Sequence, residues 1–548
     1  MPPPKNERRP LQQPLTTPAT RKRQWLLWVT VAVLGLAAVL FYKRPVYHPE
    51  IVIQSGQLVQ MSLIKQPYNS LARCEQAVER LATNMTARCP DCEYRVAHCI
   101  TKLSPRQQQL LQGQSIDMPS LRIARGAIGF ESTTPELALA TCQQAAQQAG
   151  GLHRCTPAGS SASATPLAGI SELQLDFKPT PQTLLLLTLW AAAVSCLICG
   201  FLVASERWHA RFSHDAVDAG PQKFHTRPVP RIGGIGIACA LGLTLLALDM
   251  ADLLMTDSVY AFALLALAAL PAFIGGLAED LTKKVGVLAR LLLTMAAGAL
   301  ASVLTGATLT SLDIPGLDAL LQWSPLIAVA FTAVAVAGVA NAFNIIDGYN
   351  GLASGFALLA LSALAWVAFK VADQVVLITS LTMLGAVLGF MCWNWPGGRI
   401  FLGDGGAYLI GFWLAELSIL LVVRNPEVSP WLPLAVLIYP VWETVFSMYR
   451  RKILSDKATG SPDAEHLHQM IFFRLRQRTE SRTARKGWLK PGNLVAPWIW
   501  LTVLPFLFFS TVIFKNTFSL ILAAGLFVAV YLFMYASCQR GRRNQQQA

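Results

Sequence analysis

Charge is what this chain has least of. Only 14% of its 548 residues are Asp, Glu, Lys or Arg, against 53% hydrophobic, and the mean hydropathy is +0.43. An ordinary soluble domain carries about 25% charged residues, so that class is excluded. Acids are scarcer than bases, 31 to 45, for a formal charge of +14. The basic excess is not gathered into a module that reads RNA or DNA. It sits between and beside apolar runs, where such clusters fix topology and meet anionic headgroups or phosphorylated substrates. Nucleic acid is therefore not an expected partner, whereas membrane lipid is. Also missing, from residues 43–183, is a second Cys-x-x-Cys to complete Cys89-Pro-Asp-Cys92, which a zinc ribbon requires.

What the chain does have is long apolar runs. A helix of about 20 such residues crosses the hydrocarbon core, and about twelve can be placed. Residues 1–24, rich in Pro, Gln and Thr with basic clusters, are expected to be a disordered cytoplasmic tail. Residues 25–42 form one apolar run behind Arg21-Lys22-Arg23 and predict an uncleaved anchor, N-terminus inside. Residues 43–183 contain no membrane-length run and carry Cys74, Cys89, Cys92, Cys99, Cys142 and Cys155. Half a zinc site, a redox pair or disulfides are the readings; an even cysteine count outside the cytoplasm favours up to three disulfides. Helical spacing is evident from Leu71 to Leu81 and from Pro135 to Ala149, and residues 158–165 read as a linker.

From residue 184 to 538 the chain reads as membrane, with spans near 184–204, 232–254, 259–277, 287–309, 323–342, 351–369, 375–393, 407–423, 431–446, 494–514 and 518–536. The fold class is thus an all-α polytopic membrane protein, with about eleven core spans and an N-terminal anchor. A small disulfide-containing extracytoplasmic domain is inserted between them. Basic residues collect in loops 205–231 and 450–493 and in the tail 539–548, which the count places on one side with Arg21 to Arg23. The positive-inside rule makes that side cytoplasmic, with both termini there and residues 43–183 outside.

Five polar groups fall on the same side. The first holds Lys223, His225, Arg227 and Arg231, donors suited to phosphate, followed by Gly233-Gly234. Their alternative is simple topological anchoring. Next are the adjacent acids Glu279 and Asp280 at a helix end, where the macrodipole disfavours them unless a cation compensates. The third is Asn341-x-x-Asn344-x-x-Asp347-Gly348-Tyr349-Asn350-Gly351, a carboxylate among amides and glycines between two spans. Asp404, between Gly403 and Gly405, has an open approach that suits a metal or a phosphate, with helix capping as the plainer reading. Last comes His466-Leu-His468, with Glu443 and Arg450-Arg451 just before it.

Carboxylates with Asn side chains make a hard-oxygen environment suited to Mg²⁺, or Mn²⁺, rather than zinc. Lys, Arg and His around them would hold phosphate oxygens. The pattern predicts phosphoryl transfer between a soluble nucleotide compound and a lipid phosphate, with the metal offsetting charge on a diphosphate.

Taken in order, Lys223-x-His225, Pro230-Arg-Ile-Gly-Gly234, Glu279-Asp280, Asn341-x-x-Asn344-x-x-Asp347-Gly348, Phe401-Leu-Gly-Asp404-Gly405, Pro440-x-x-Glu443 and His466-Leu-His468 resemble the polyprenyl-phosphate N-acetylhexosamine-1-phosphate transferases. The resemblance covers about half the chain, residues 220 to 470, and leaves out residues 1–183. It implies transfer of an N-acetylhexosamine 1-phosphate from a UDP-sugar to undecaprenyl phosphate, with release of UMP and a need for Mg²⁺, in a bacterial cytoplasmic membrane. The product would begin a lipid-linked O-antigen, capsule or exopolysaccharide. Asp280, Asp347 and Glu279 are the implied catalytic acids. Asp404 with Asp280 is the implied metal site. Lys223, His225, Arg231, Asn341, Asn344, Asn350, Arg450, Arg451, His466 and His468 are the implied substrate contacts. A homodimer is left open.

Three positions depart from the family pattern: Glu279 for the first of two aspartates, Asn350 for the second acid of Asp-Gly-x-Asp, and Gln469 for a third histidine. Asn350 can act neither as a base nor as a nucleophile. The rival reading is a non-catalytic scaffold or a secondary transporter with an extracytoplasmic sensing domain. Transporters keep functional charges near the bilayer midplane.

Overall fold

The computed structural model describes residues 47–64, 93–112, 114–123, 126–148, 155–160, 180–213, 228–251, 256–454, 465–480 and 490–546, with the helical residues Leu71, Cys74, Glu75, Val78 and Glu79. The expected tail 1–24, the anchor 25–42, the Cys89-x-x-Cys92 pair, Lys223, His225 and the linker from 161 to 165 lie outside the described residues. The chain divides into two compact units, residues 1–173 and 174–548.

The first unit is not all-α. Among its described residues six strands, β1 (His48–Ser55), β2 (Leu58–Ile64), β3 (Glu93–Ile100), β4 (Ser120–Ile123), β5 (Gly126–Ser132) and β6 (Cys155–Thr156), form one sheet in the order β3-β1-β2-β5-β4-β6. Every pairing is antiparallel. Helices α1 (Pro105–Gln112) and α2 (Pro135–Gln148) accompany it. The two helices expected at 71–81 and 135–149 are present, as helical residues between 71 and 79 and as α2.

The arrangement is a duplication. A hairpin, β1–β2, is followed by the helical residues Leu71, Cys74, Glu75, Val78 and Glu79 and by β3, which returns beside β1; a second hairpin, β4–β5, is followed by α2 and by β6, which returns beside β4. Equivalent disulfides staple each half, Cys74–Cys99 from helix to β3 and Cys142–Cys155 from α2 to β6. Strand alternation sends Ile51 and Ile53 against Val78, and Leu121 and Phe130 against Ala138, Cys142 and Ala146. Leu63 and Ala127 pack against α1 through Leu110 and Leu111.

The second unit is helical: α3 (Pro181–Ala204), α4 (Glu206–Ser213), α5 (Gly233–Ala251), α6 (Thr256–Thr282), α7 (Val287–Thr305), α8 (Pro315–Trp323), α9 (Pro325–Ile346), α10 (Leu352–Lys370), α11 (Gln374–Asn394), α12 (Gly403–Arg424), α13 (Leu432–Val436), α14 (Ile438–Tyr449), α15 (Leu467–Glu480), α16 (Pro491–Val512) and α17 (Thr517–Gln546). Among the described residues nine helices are long and apolar enough to cross a membrane. The span expected at 232–254 is a shorter apolar helix, α5. That expected at 431–446 is broken into α13 and α14, and α14 runs into a π turn at Arg450–Leu454. The segment expected as a tail from 539 continues α17 to Gln546.

Helix α12 is the axis of the bundle, buried at every residue from Gly403 to Leu421. Small residues let its neighbours close in, as small side chains do between helices in lipid. A Cβ on Gly276 of α6 would lie 2.6 Å from backbone atoms of Asp404 and Gly405, and one on Gly234 of α5 would collide with Gly406.

Mid-way along α12, Glu416 is fully buried, and both its carboxyl oxygens lack a hydrogen-bond partner among the described residues. Burying a polar group without a partner costs about 1–3 kcal/mol in protein substitutions. Glu416→Met, close in volume, should therefore raise the thermal unfolding midpoint in detergent. A lowered midpoint would show that this carboxyl has a stabilising partner.

Candidate active site

The polar groups expected at helix ends converge on the start of α12. Residues 230–234 run alongside residues 401–402, with Phe401 N donating to Pro230 O at 2.8 Å, Gly233 N to Phe401 O at 2.9 Å and Gly234 N to Leu402 O at 3.0 Å. This pairing fixes Arg231 beside Gly403 and Asp404. From α6, Asp280 caps the helix. Its Oδ1 accepts from Asp404 N at 3.0 Å and its Oδ2 from Gly405 N at 2.9 Å. The first amides of a helix have no partner of their own and carry its positive dipole end, so a buried carboxylate is well placed there. Asp280 is 1% exposed.

Asp404 is held by two guanidinium groups. Arg231 Nη2 lies 3.2 Å from Oδ1, and Arg290 Nη1 is bonded to Oδ2. Arg231 Nε is also 3.9 Å from Asp280. Arg290, at the start of α7, was not among the expected site residues. A lone base in the first turn of an apolar helix offers little signal beyond its being costly in that setting.

Helix α9 continues past the expected end at 342 to Ile346, so Asn341 and Asn344 are helical and Asp347 caps them. Spacing of three residues puts all three on one face. Asn341 donates to Ala337 O at 2.8 Å, and Asn344 to the Tyr408 hydroxyl at 3.1 Å. The carboxylate of Asp347 makes no hydrogen bond among the described residues, and the charges that act on it are Arg231, Asp404 and Asp280.

Burial pushes the Asp347 carboxyl up to about 7, with the Arg231 guanidinium pulling against the shift. A raised pKa means that the folded state binds the proton more tightly. The associated stability is complete below the unfolded value of about 3.9 and is lost as the pH rises through about 7. The thermal midpoint of ligand-free protein should fall between roughly pH 4 and pH 7, and Asp347→Asn should flatten that slope. An unchanged slope in the variant would assign the titration elsewhere.

A second cluster sits beyond α14. Glu443, 1% exposed, accepts from the His466 ring at Nδ1 (3.0 Å) and from Leu467 N (3.2 Å). The rings of His466 and His468 stack at 5.3 Å. His468 meets Tyr349 edge-on and lies over Gly348, which joins this cluster to the Asp347 turn. Arg450 pairs with Glu465, and Arg451 Nε donates to Ser447 O at 3.4 Å. Gln469, where a third histidine was expected, accepts from His466 N at 3.0 Å and so caps the turn that presents the two rings.

Two expected residues are placed differently. The Glu279 carboxylate turns to Val285 N at 2.7 Å and braces its own loop. Asn350 faces Gly398, whose missing side chain leaves room for it. Asn394 was passed over in the sequence, yet it ties these loops together. Its Oδ1 accepts from Gly351 N at 2.7 Å and its Nδ2 donates to Ile400 O at 2.9 Å.

Among the described residues no group of three or more His, Cys, Asp or Glu forms a ready metal cage. Mg²⁺ does not ask for one, since it binds through one or two carboxylates together with substrate phosphates and water. Asp347, whose carboxylate is unspent, fits such a cation, joined by Asp404 where Arg231 and Arg290 turn from it to substrate phosphate; Asp280 is engaged by two amides.

Residues 262–422, which contain Asp280, Arg290, Asp347 and Asp404, match the family model described as glycosyl transferase family 4. Over those residues the membrane unit is similar to that family. Relatives of the family 4 core include a probable undecaprenyl-phosphate N-acetylglucosaminyl 1-phosphate transferase of Bacillus subtilis, 28% identical over 252 residues, 46% of this chain and 67% of the relative. An undecaprenyl-phosphate alpha-N-acetylglucosaminyl 1-phosphate transferase of Thermotoga maritima is 26% identical over 327 residues, 59% of this chain and 89% of its own. Similarity to a phospho-N-acetylmuramoyl-pentapeptide-transferase of Bacillus pumilus, at 38%, spans 113 residues, only 34% of that protein. The family 4 match excludes Arg231 and the histidine cluster, which the fold nevertheless brings to the same place.

Proposed function

We propose that the protein transfers an N-acetylhexosamine 1-phosphate from a UDP-sugar to undecaprenyl phosphate and releases UMP, so initiating a lipid-linked surface polysaccharide. The observation that carries the reading is the meeting of Asp280, Asp347 and Asp404 with Arg231 and Arg290 at one end of the helical bundle. Two relatives are named as undecaprenyl-phosphate N-acetylglucosaminyl 1-phosphate transferases.

In the transfer, an oxygen of the lipid phosphate attacks the phosphorus that bears the sugar. The bond from that phosphorus to the oxygen shared with UMP breaks, and UMP leaves with that oxygen. A phosphate monoester loses its second proton near pH 6. At neutral pH the attacking oxygen is therefore already deprotonated, which leaves Asp347 to serve as a metal ligand. Arg231 and Arg290 supply charge-assisted donors to phosphate oxygens. Asp280 keeps the first turn of α12, and with it Asp404, in place. Glu443 orients His466, and the stacked rings of His466 and His468 offer a surface for the nucleotide-sugar. Asp404 and Asp347 would hold Mg²⁺, or Mn²⁺, which supplies charge neutralisation on the diphosphate.

The transporter reading draws on one mid-span acid, Glu416, which is enclosed and makes no ion pair among the described residues. The test of the enzyme reading is UMP release by purified protein given undecaprenyl phosphate, Mg²⁺ and each UDP-N-acetylhexosamine in turn. Release that depends on the lipid is expected. None with any sugar would refute the assignment.

A further inference from the structure

Helix α4 (Glu206–Ser213) is amphipathic in the wrong sense for a helix facing water. Its inward stripe is Glu206, His209, Ala210 and Ser213, and its exposed stripe is Arg207, Trp208, Arg211 and Phe212. Trp208 is 83% exposed and Phe212 59%. A surface helix in water turns its large apolar side chains to the core and its polar ones outward. Here the polar inward face is taken up by the turn from α3. The His209 ring is 2.8 Å from Leu202 O, one of the orphan carbonyls at the end of α3, and 2.7 Å from the Ser213 hydroxyl. The bonds that fold α4 back leave its only two aromatic side chains outside.

Only Ser205 separates α4 from the 24-residue apolar helix α3, so α4 begins where a candidate span ends. Aromatic side chains at that level seat in the headgroup region, and arginines beside them meet lipid phosphates. Arg211 lies 5.9 Å over the Phe212 ring, so one face combines cation and apolar surface. We infer that α4 is a membrane-interface anchor that binds anionic phospholipid headgroups at the end of the bundle that carries the active site. Continuity with α3 and the sign of Arg207 and Arg211 favour this occupant over a soluble partner.

The anchor has a direct route to the chemistry. Ser213 O accepts from Arg231 N at 2.9 Å, and Arg231 holds Asp404. A seated α4 therefore fixes the backbone from which that guanidinium extends. The inference does not rest on the transfer reaction, and its test reads no activity.

Amide hydrogen exchange of residues 206–213 should be followed by mass spectrometry on the full chain, in phosphatidylcholine nanodiscs and in phosphatidylglycerol-rich ones. A third arm adds inorganic phosphate to the phosphatidylcholine discs. Exchange should slow by about tenfold on going to the anionic discs, the size that two interfacial arginines allow, and inorganic phosphate should leave it unchanged. Arg207→Gln with Arg211→Gln should abolish the anionic increment, while Trp208→Ser with Phe212→Ser should speed exchange in both lipids. Exchange across α12 serves as the control for folding. Equal rates in the two discs, an increment that survives the arginine substitutions, or one that phosphate alone reproduces, overturns the proposal. Aromatic substitutions without effect would also do so.

Discussion

Asp280→Asn should reduce turnover by about 10²-fold or more, although Asp280 need not touch the reacting phosphorus. Its two oxygens each accept a backbone N–H at the start of α12, from Asp404 and from Gly405. An amide offers one oxygen and one NH₂ group, so one of those amides would face another donor in a buried setting. Losing a hydrogen bond to a charged group and stranding its partner should cost about 2–4 kcal/mol. The first turn of α12 would shift to escape the clash and carry Asp404 away from its arginines. A displacement of about 1 Å suffices for the rate loss given above. Thermal melting and UMP release on the same preparation test this together. Near-native activity with a lowered midpoint would confine Asp280 to stability, and the converse would make it a direct participant.

Gly403→Ala should be almost as damaging, and a second glycine isolates the reason. Gly403 has φ +75°, and a Cβ there would collide with the Arg231 carbonyl and lie 2.5 Å from Asp280 Oδ2. Gly306, which caps α7, has φ +74° and open space around it. Both alanines pay the left-handed penalty of about 1–2 kcal/mol, but only Gly403→Ala drives an atom into the site. Gly306→Ala should lower stability modestly and leave UMP release intact. Gly403→Ala should cost roughly 3 kcal/mol or more and about a hundredfold in rate. Equal behaviour of the two variants would mean that backbone strain alone decides.

The parts of the site that were legible in the sequence are those the bilayer makes conspicuous. Asp280, Asp347 and Asp404 interrupt apolar runs where a polar group is costly, so each announces itself. Arg231 was marked by its place between basic residues and Gly233-Gly234. Arg290 and Asn394 were not legible: one is a single base at a helix start, and the function of the other, bridging two loops, exists only once residues 351 and 400 are neighbours. Span borders slipped where side chains substitute for local signals. Helix α12 begins at Gly403 rather than 407 because Asp280 satisfies amides that glycines would otherwise leave frayed. The sheet of the first unit was missed because helical spacing at 71–81 and 135–149 outweighed short strands. The turn at Gly56, with φ +59° between β1 and β2, was the available cue.

That first unit also has a mechanical seam. Each disulfide closes a short loop within its own half, at sequence separations of 25 and 13, and among the described residues none crosses from one half to the other. The halves are joined through the β2–β5 ladder, seven residue pairs from Leu58–Ser132 to Ile64–Gly126, and by α1 packed over it. Reducing agent would therefore slacken each half from within without severing the pair. Tension that pulls the halves apart would find its weak line between β2 and β5, where backbone hydrogen bonds and, among the described residues, no disulfide resist it.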